Sequence, residues 1–124
     1  MEKRKSMREL AEIYYKKNKN NIIQYDYRLD RRRKFDFIIT QKYIDNFNNR
    51  NIEKKIGVFI CDMQRTIGLN ILRKIQYMFE DAEELDEVVL IGRDFSSQVR
   101  KFSKSYEVKL LSLKEIEHEL NCNS

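Results

Sequence analysis

The sequence has no proline and no tryptophan, and only three glycines, two cysteines and one histidine among 124 residues. Each shortage excludes something. Without proline, and with glycine this sparse, nothing punctuates the chain into two units, and its length suits one domain over residues 1–124. The dispersed Gly57, Gly68 and Gly92 form no glycine-rich phosphate loop. Cys61 and Cys122 make no disulfide framework, and a reducing compartment suits both. Cys61 ends the apolar run Gly57-Val58-Phe59-Ile60 and reads as a buried thiol. His118 and Cys122, four apart, supply only two ligands of a zinc site, and His118 is the sole histidine available to activate a nucleophilic cysteine. No apolar run approaches the roughly 18 residues of a membrane span. The charged start Met1-Glu2-Lys3-Arg4-Lys5 has no apolar segment after it, so a cytoplasmic chain with no membrane role is expected.

Charge is plentiful and uneven. Residues 1–65 hold 17 Lys and Arg against 9 Asp and Glu, a balance of +8. Residues 66–124 hold 8 against 11, a balance of −3. The basic excess gathers at 3–8, 16–19 and 31–34, which suggests an anionic partner for the first half, nucleic acid first among them. Tyr14, Tyr15, Tyr25, Tyr27 and Tyr43 interleave with these cations. Such surfaces stack on single strands, although tyrosines in strands and helices usually pack half-buried with a wet hydroxyl.

Hydrophobic residues are 41% of the chain, enough for a modest core. Met7, Leu10, Ala11 and Tyr14 share one face of a helix predicted over 5–18. Strands are predicted at 22–28 and 35–40, rich in β-branched and aromatic residues. Between them, Asp30-Arg31-Arg32-Arg33 is too charged to bury and should cap an exposed hairpin. The polar, Asn-rich stretch 41–55 reads as a loop or short helix. From residue 56 short apolar runs at 56–61, 88–91 and 108–111 alternate with helical patterns at 69–82, around 95–102 and after 112. Asp94 or Ser96 suits the N-cap of the middle helix, and Ser112-Leu113-Lys114-Glu115 has the form of a capping box. The order is αβββαβαβα: an antiparallel strand pair joined to a parallel, right-handed unit in one mixed sheet with helices on both faces.

The stretch from Val88 through Gly92-Arg93-Asp94-Phe95-Ser96 to Val99, Phe102, Tyr106, Val108 and Leu110-Leu111 resembles the C-terminal part of Mrr-type restriction endonuclease domains, of the PD-(D/E)xK class. There a strand delivers a small residue, a Phe-Ser or Phe-Thr pair opens a helix, and a short strand precedes a last helix. Asp62-Met63-Gln64-Arg65-Thr66-Ile67-Gly68 is similar to the segment after that family's catalytic strand. Asp36, in Phe35-Asp36-Phe37, stands where the family has its first catalytic aspartate. The resemblance covers nearly the whole chain except 41–55, and it implies the restriction-endonuclease-like fold.

The family's chemistry requires an Asp on one strand and an acid-x-Lys on the next, because alternate strand residues face the same way and two carboxylates hold the cation beside the water that Lys positions. Anchored on Arg65–Gly68, the second strand offers Phe59 and Cys61; shifted by one, it offers Ile60 and Asp62. Neither register contains an acid followed by Lys. At the position where the first helix often adds a Glu stands Arg8, with Glu9 and Glu12 close by. The leading expectation is therefore a DNA-binding or DNA-associated module derived from an Mrr-type nuclease and catalytically inactive, without cofactor. Its contacts would be Arg31, Arg32, Arg33, Lys34 and Arg65, with DNA favoured over RNA. A second reading is a Mg²⁺-dependent endonuclease with a rearranged site, in which Asp36 is the metal ligand and Asp62, Glu9 or Glu12 the second acid. A third is a protein–protein adaptor docking through the acidic 80–87 segment. A homodimer or protein partner is compatible with each.

Overall fold

The structure is a computed structural model that describes residues 5–122, with side chains through Asn121. Lys3 and Arg4, part of the first basic cluster, and the Cys122 side chain lie outside the described residues. Helix α1 (Met7–Lys16) starts at Ser6, whose Oγ accepts the Glu9 amide at 3.1 Å. Strands β1 (Asn21–Arg28), β2 (Lys34–Asp45) and β3 (Arg50–Cys61) follow. Then come α2 (Leu69–Asp81), β4 (Glu87–Gly92), α3 (Ser97–Phe102), β5 (Val108–Ser112) and α4 (Leu113–Cys122). The order is the αβββαβαβα expected from the sequence.

One five-stranded sheet runs β1-β2-β3-β4-β5. β1, β2 and β3 pair antiparallel, while β3–β4 and β4–β5 are parallel. β3 is central because its 56–61 half is the chain's densest apolar run and must be covered from both sides. On one face Leu72, Ile75 and Met78 of α2 and Val99 of α3 pack with Phe35, Ile38, Val88 and Leu90. On the other, Met7, Ala11 and Tyr15 of α1 and Ile116 of α4 pack with Phe37, Ile39, Val58 and Ile91. Each of the buried Leu, Ile, Val, Met and Phe side chains contributes roughly 1.5–3 kcal/mol relative to exposure. No helix among the described residues is long and apolar enough to cross a membrane.

The residues that carried the family resemblance take the expected places. Gly92 ends β4, and Ser96 caps α3 by accepting the Val99 amide at 3.1 Å. Ser112 accepts the Glu115 amide at 3.1 Å at the start of α4, giving one arm of the capping box.

The stretch 41–55 is neither loop nor helix. β2 continues to Asp45 and β3 begins at Arg50, so the two strands form a long hairpin whose outer part pairs only with itself. Cross-strand pairs such as Tyr43 with Ile52 and Lys42 with Glu53 hold it, a form of stabilisation that needs no burial.

A local irregularity positions the site. Phe35 and Phe37, two apart on β2, belong to opposite core faces, as do their β1 partners Tyr27 and Tyr25. Both strands change face at the level of Asp26 and Asp36, and Asp26 takes the left-handed conformation with φ 52°. Beyond this point the β1–β2 hairpin lies against the α2 face: Tyr27 and Leu29 pack there, and Arg33 reaches Asp81 at the end of α2 at 2.6 Å.

Candidate functional site

Asp36 sits one residue before the last β2–β3 pair, Phe37 with Val58. Its Oδ2 accepts the Ile60 amide at 2.7 Å, so the side chain takes over a ladder bond where the face change interrupts the backbone pattern. Its Oδ1 faces Nη1 of Arg8 at 3.4 Å. The Arg8 guanidinium lies over the Phe37 ring, 5.2 Å from its centroid, and its two terminal nitrogens each reach a carboxylate oxygen of Asp26 at 3.3 Å. Lys34 joins Asp26 at 3.0 Å. Lys34, then Arg8, hold the Asp26 carboxyl below its usual range. Two aspartates and two cations thus make one compensated cluster where α1 crosses the start of β2.

The sequence singled out Asp62 as the other acid. It follows the last residue of β3, is exposed, and bonds Nε of Arg93 at 2.8 Å. The carboxylate that shares Arg8 with Asp36 is Asp26. Glu12 is engaged by Lys16 at 2.6 Å and the Tyr25 hydroxyl at 2.9 Å, which hold its carboxyl low in that order. Glu9 accepts the Ser6 hydroxyl at 3.2 Å. On β3, Phe59 and Cys61 turn to the α2 face and Ile60 to the α1 face, the side of Arg8. Burial pushes the Cys61 thiol up, as suits a packing residue. The position that shares Asp36's side of the sheet is therefore apolar.

These donors do not fit the divalent cation that the fold family holds. Mg²⁺ takes about six oxygen ligands. Here the two carboxylates of Asp26 and Asp36 are both turned to the Arg8 guanidinium, with Asp36 also holding a backbone amide. No group of three or more His, Cys, Asp or Glu among the described residues is placed to hold a metal ion.

The basic residues divide. Arg31 and Arg32 are exposed in the β1–β2 turn, and Arg65 is exposed in the loop before α2; none makes an ion pair among the described residues. Asp30 accepts the Arg32 and Arg33 amides at 2.9 and 2.8 Å and organises the turn. Arg33 is held between Asp30 and Asp81, and Lys34 is the first residue of β2, bound to Asp26. Arg93 lies next to Gly92, which pairs with Cys61, so Arg93, Asp62 and Ile60 mark the carboxyl edge of the parallel strands beside Asp36. In open α/β sheets that edge is where ligands bind. The sequence singled out Asp36 and set Arg8 where the resemblance implies a Glu. It held no sign of Asp26 or Arg93, whose contacts depend on a face change and a crossover that no local pattern announces.

No protein-family model matches the chain, and no curated protein matches it in sequence. Among solved structures, the DNA modification-dependent restriction endonuclease AspBHI is similar in fold, with a TM-score of 0.50 and 13% identity. The match covers 89% of this chain and 33% of AspBHI, so this chain spans a third of that protein's length. Element order, sheet topology and this likeness together give the chain a restriction-endonuclease-like fold.

Proposed function

We propose that the chain is a DNA-binding module on a scaffold derived from an Mrr-type, PD-(D/E)xK nuclease, and that it does not hydrolyse DNA. The observation that carries this reading is the guanidinium of Arg8 at Asp36, where the family's chemistry would require a second carboxylate and a cation. A scaffold that keeps its edge and its surface cations but lacks the paired acids and Lys can hold a duplex without cutting it. The name of AspBHI, a nuclease acting on DNA, favours DNA as the partner. Exposed Arg31, Arg32 and Arg65 supply the phosphate contacts, and such contacts release counterions. A cytoplasmic setting belongs to the same reading.

The test is duplex binding followed by fluorescence anisotropy as salt rises from about 50 to 200 mM. Affinity should fall steeply, and changing Arg31, Arg32 and Arg65 together to Ala should lower the salt slope by up to about 3. No binding at low salt defeats the proposal. In parallel, the wild type and an Arg8→Ala variant are incubated with DNA in millimolar Mg²⁺ and Mn²⁺. Wild-type cleavage that disappears in Asp36→Ala would establish the rearranged nuclease instead. Cleavage confined to Arg8→Ala would show that Asp26 and Asp36 form a metal site that Arg8 blocks.

A further inference from the structure

The β2–β3 hairpin runs on past the sheet. β1 stops pairing with β2 at Gln41, and β3 is first tied to the β4 end at Lys54 and Lys55, through Glu87 and Asp86. Residues 42–53 therefore form a two-stranded arm beyond the five-stranded sheet. None of them enters either core cluster. Yet the arm carries three of the chain's most exposed large hydrophobic side chains: Tyr43 at 50%, Ile44 at 61% and Phe47 at 96%. Phe47 stands at the tip, and the tip is built. Asp45 accepts the Phe47 amide at 3.0 Å and the Asn48 side-chain amide at 3.1 Å, and Asn49 closes the turn at φ 56°. The ring is thereby held outward at the end of a braced turn.

The surroundings select the occupant. Asn46, Asn48, Asn49 and Asn51 crowd the tip, and Lys42, Arg50, Lys54 and Lys55 line the strands. Lys42 leans on Glu53 and Lys54 on Glu87, which leaves Arg50 and Lys55 without an ion pair among the described residues. A second protein copy would want a charge-poor apolar centre, whereas Tyr43 and Ile44 point to opposite faces of the ribbon and form no single patch. A ribbon two strands wide fits a DNA groove, Asn reads base edges there, and an exposed Phe inserts between base steps as a wedge.

We infer that this arm enters a groove of duplex DNA and that Phe47 unstacks a base step and kinks the duplex. The inference rests on the proposed DNA-binding function and adds a contact that function does not require.

The test uses duplexes carrying 2-aminopurine and a donor–acceptor pair at the ends, with the full chain and its Phe47→Ala and Phe47→Leu variants. Because Phe47 touches no core residue, both variants should melt like the wild type. Wild-type binding should brighten 2-aminopurine and shorten the end-to-end distance. Phe47→Ala should bind about 10-fold more weakly, in keeping with the loss of one stacked base, and abolish both signals. Phe47→Leu, still an apolar wedge, should keep part of the kink. Equal, salt-sensitive binding and bending by wild type and Phe47→Ala would overturn the wedge while leaving DNA binding intact. A dimer that Phe47→Ala dissociates, with DNA affinity unchanged, would overturn it in favour of a second copy. Absence of any DNA binding would remove this inference together with the function it rests on.

Discussion

Asp36 joins two elements at once: its carboxylate accepts an amide of β3 and faces a cation of α1. Truncating it leaves the Ile60 N–H without its acceptor, and Arg8 with Asp26 alone. Because the side chain is only 17% exposed, water replaces those bonds poorly, and Asp36→Ala should cost about 1–3 kcal/mol in urea unfolding. Asp36→Asn keeps an acceptor for Ile60 and gives up only the charge, so it should lose clearly less. Equal losses would mean that the ion pair, not the amide bond, carries the stability. The sequence showed that Arg8 stands where an acid was expected. It could not show that Asp26 completes the cluster, because that depends on a left-handed residue and on two strands turning over together.

At the scale of elements, the loop after β3 is locked to the end of β4. The Ile67 amide donates to the Asp94 carbonyl, and the Ser96 amide donates to the Ile67 carbonyl, each at 3.0 Å. Gly92 lies under this lock: a Cβ there would come within 2.2 Å of Ile67 Cδ1 and 3.2 Å of the Phe95 ring. Ile67 is fully buried and has little room to turn. Gly92→Ala should therefore destabilise by about 1–3 kcal/mol in thermal or urea melts. Gly68 is the contrast. It caps α2 in an extended conformation with no side-chain bond and with open space around it. Gly68→Ser supplies the missing cap and should stabilise by a few tenths of a kcal/mol. A loss from Gly68→Ser as large as that from Gly92→Ala would refute this packing account. The same elements explain what was legible. The runs near 56–61 and 88–91 lie inside the sheet, where burial on both faces demands continuous apolar residues. The run at 108–111 is instead the edge strand β5, broken by the exposed Lys109 and only partly buried at Leu110 and Leu111. The arm escaped notice because its polar, Asn-rich strands are held by each other and owe nothing to the core.

Over the whole molecule, the basic excess of the first half is partly spent internally: Arg8, Arg33 and Lys34 serve the fold, and Arg31, Arg32 and Arg65 face solvent. Sequence alone counts charges and cannot say which are already answered. The far end of the sheet shows the same economy. Glu87 opens β4 with a side chain only 11% exposed, and it is met by Lys54 of β3 at 2.9 Å and by Lys109 of β5, so one carboxylate ties three strands. Burial pushes its pKa up, but Lys109 and Lys54 outweigh that and hold it below the usual Glu value. A depressed folded-state pKa gives stability that is complete above the unfolded value, about 4.3, and is lost as pH falls through the folded one. At the same time every other carboxylate that protonates raises the positive charge of a chain already at +5, which adds repulsion. The wild type should therefore lose stability steeply below about pH 4.3, and Glu87→Gln should be the less stable protein at pH 7. As the pH falls toward about 2 the two unfolding curves should converge, since the native carboxyl is then as neutral as the amide. A gap between them that stays constant from pH 7 to about 2 would show that Glu87 acts through shape alone and that its charge holds nothing together.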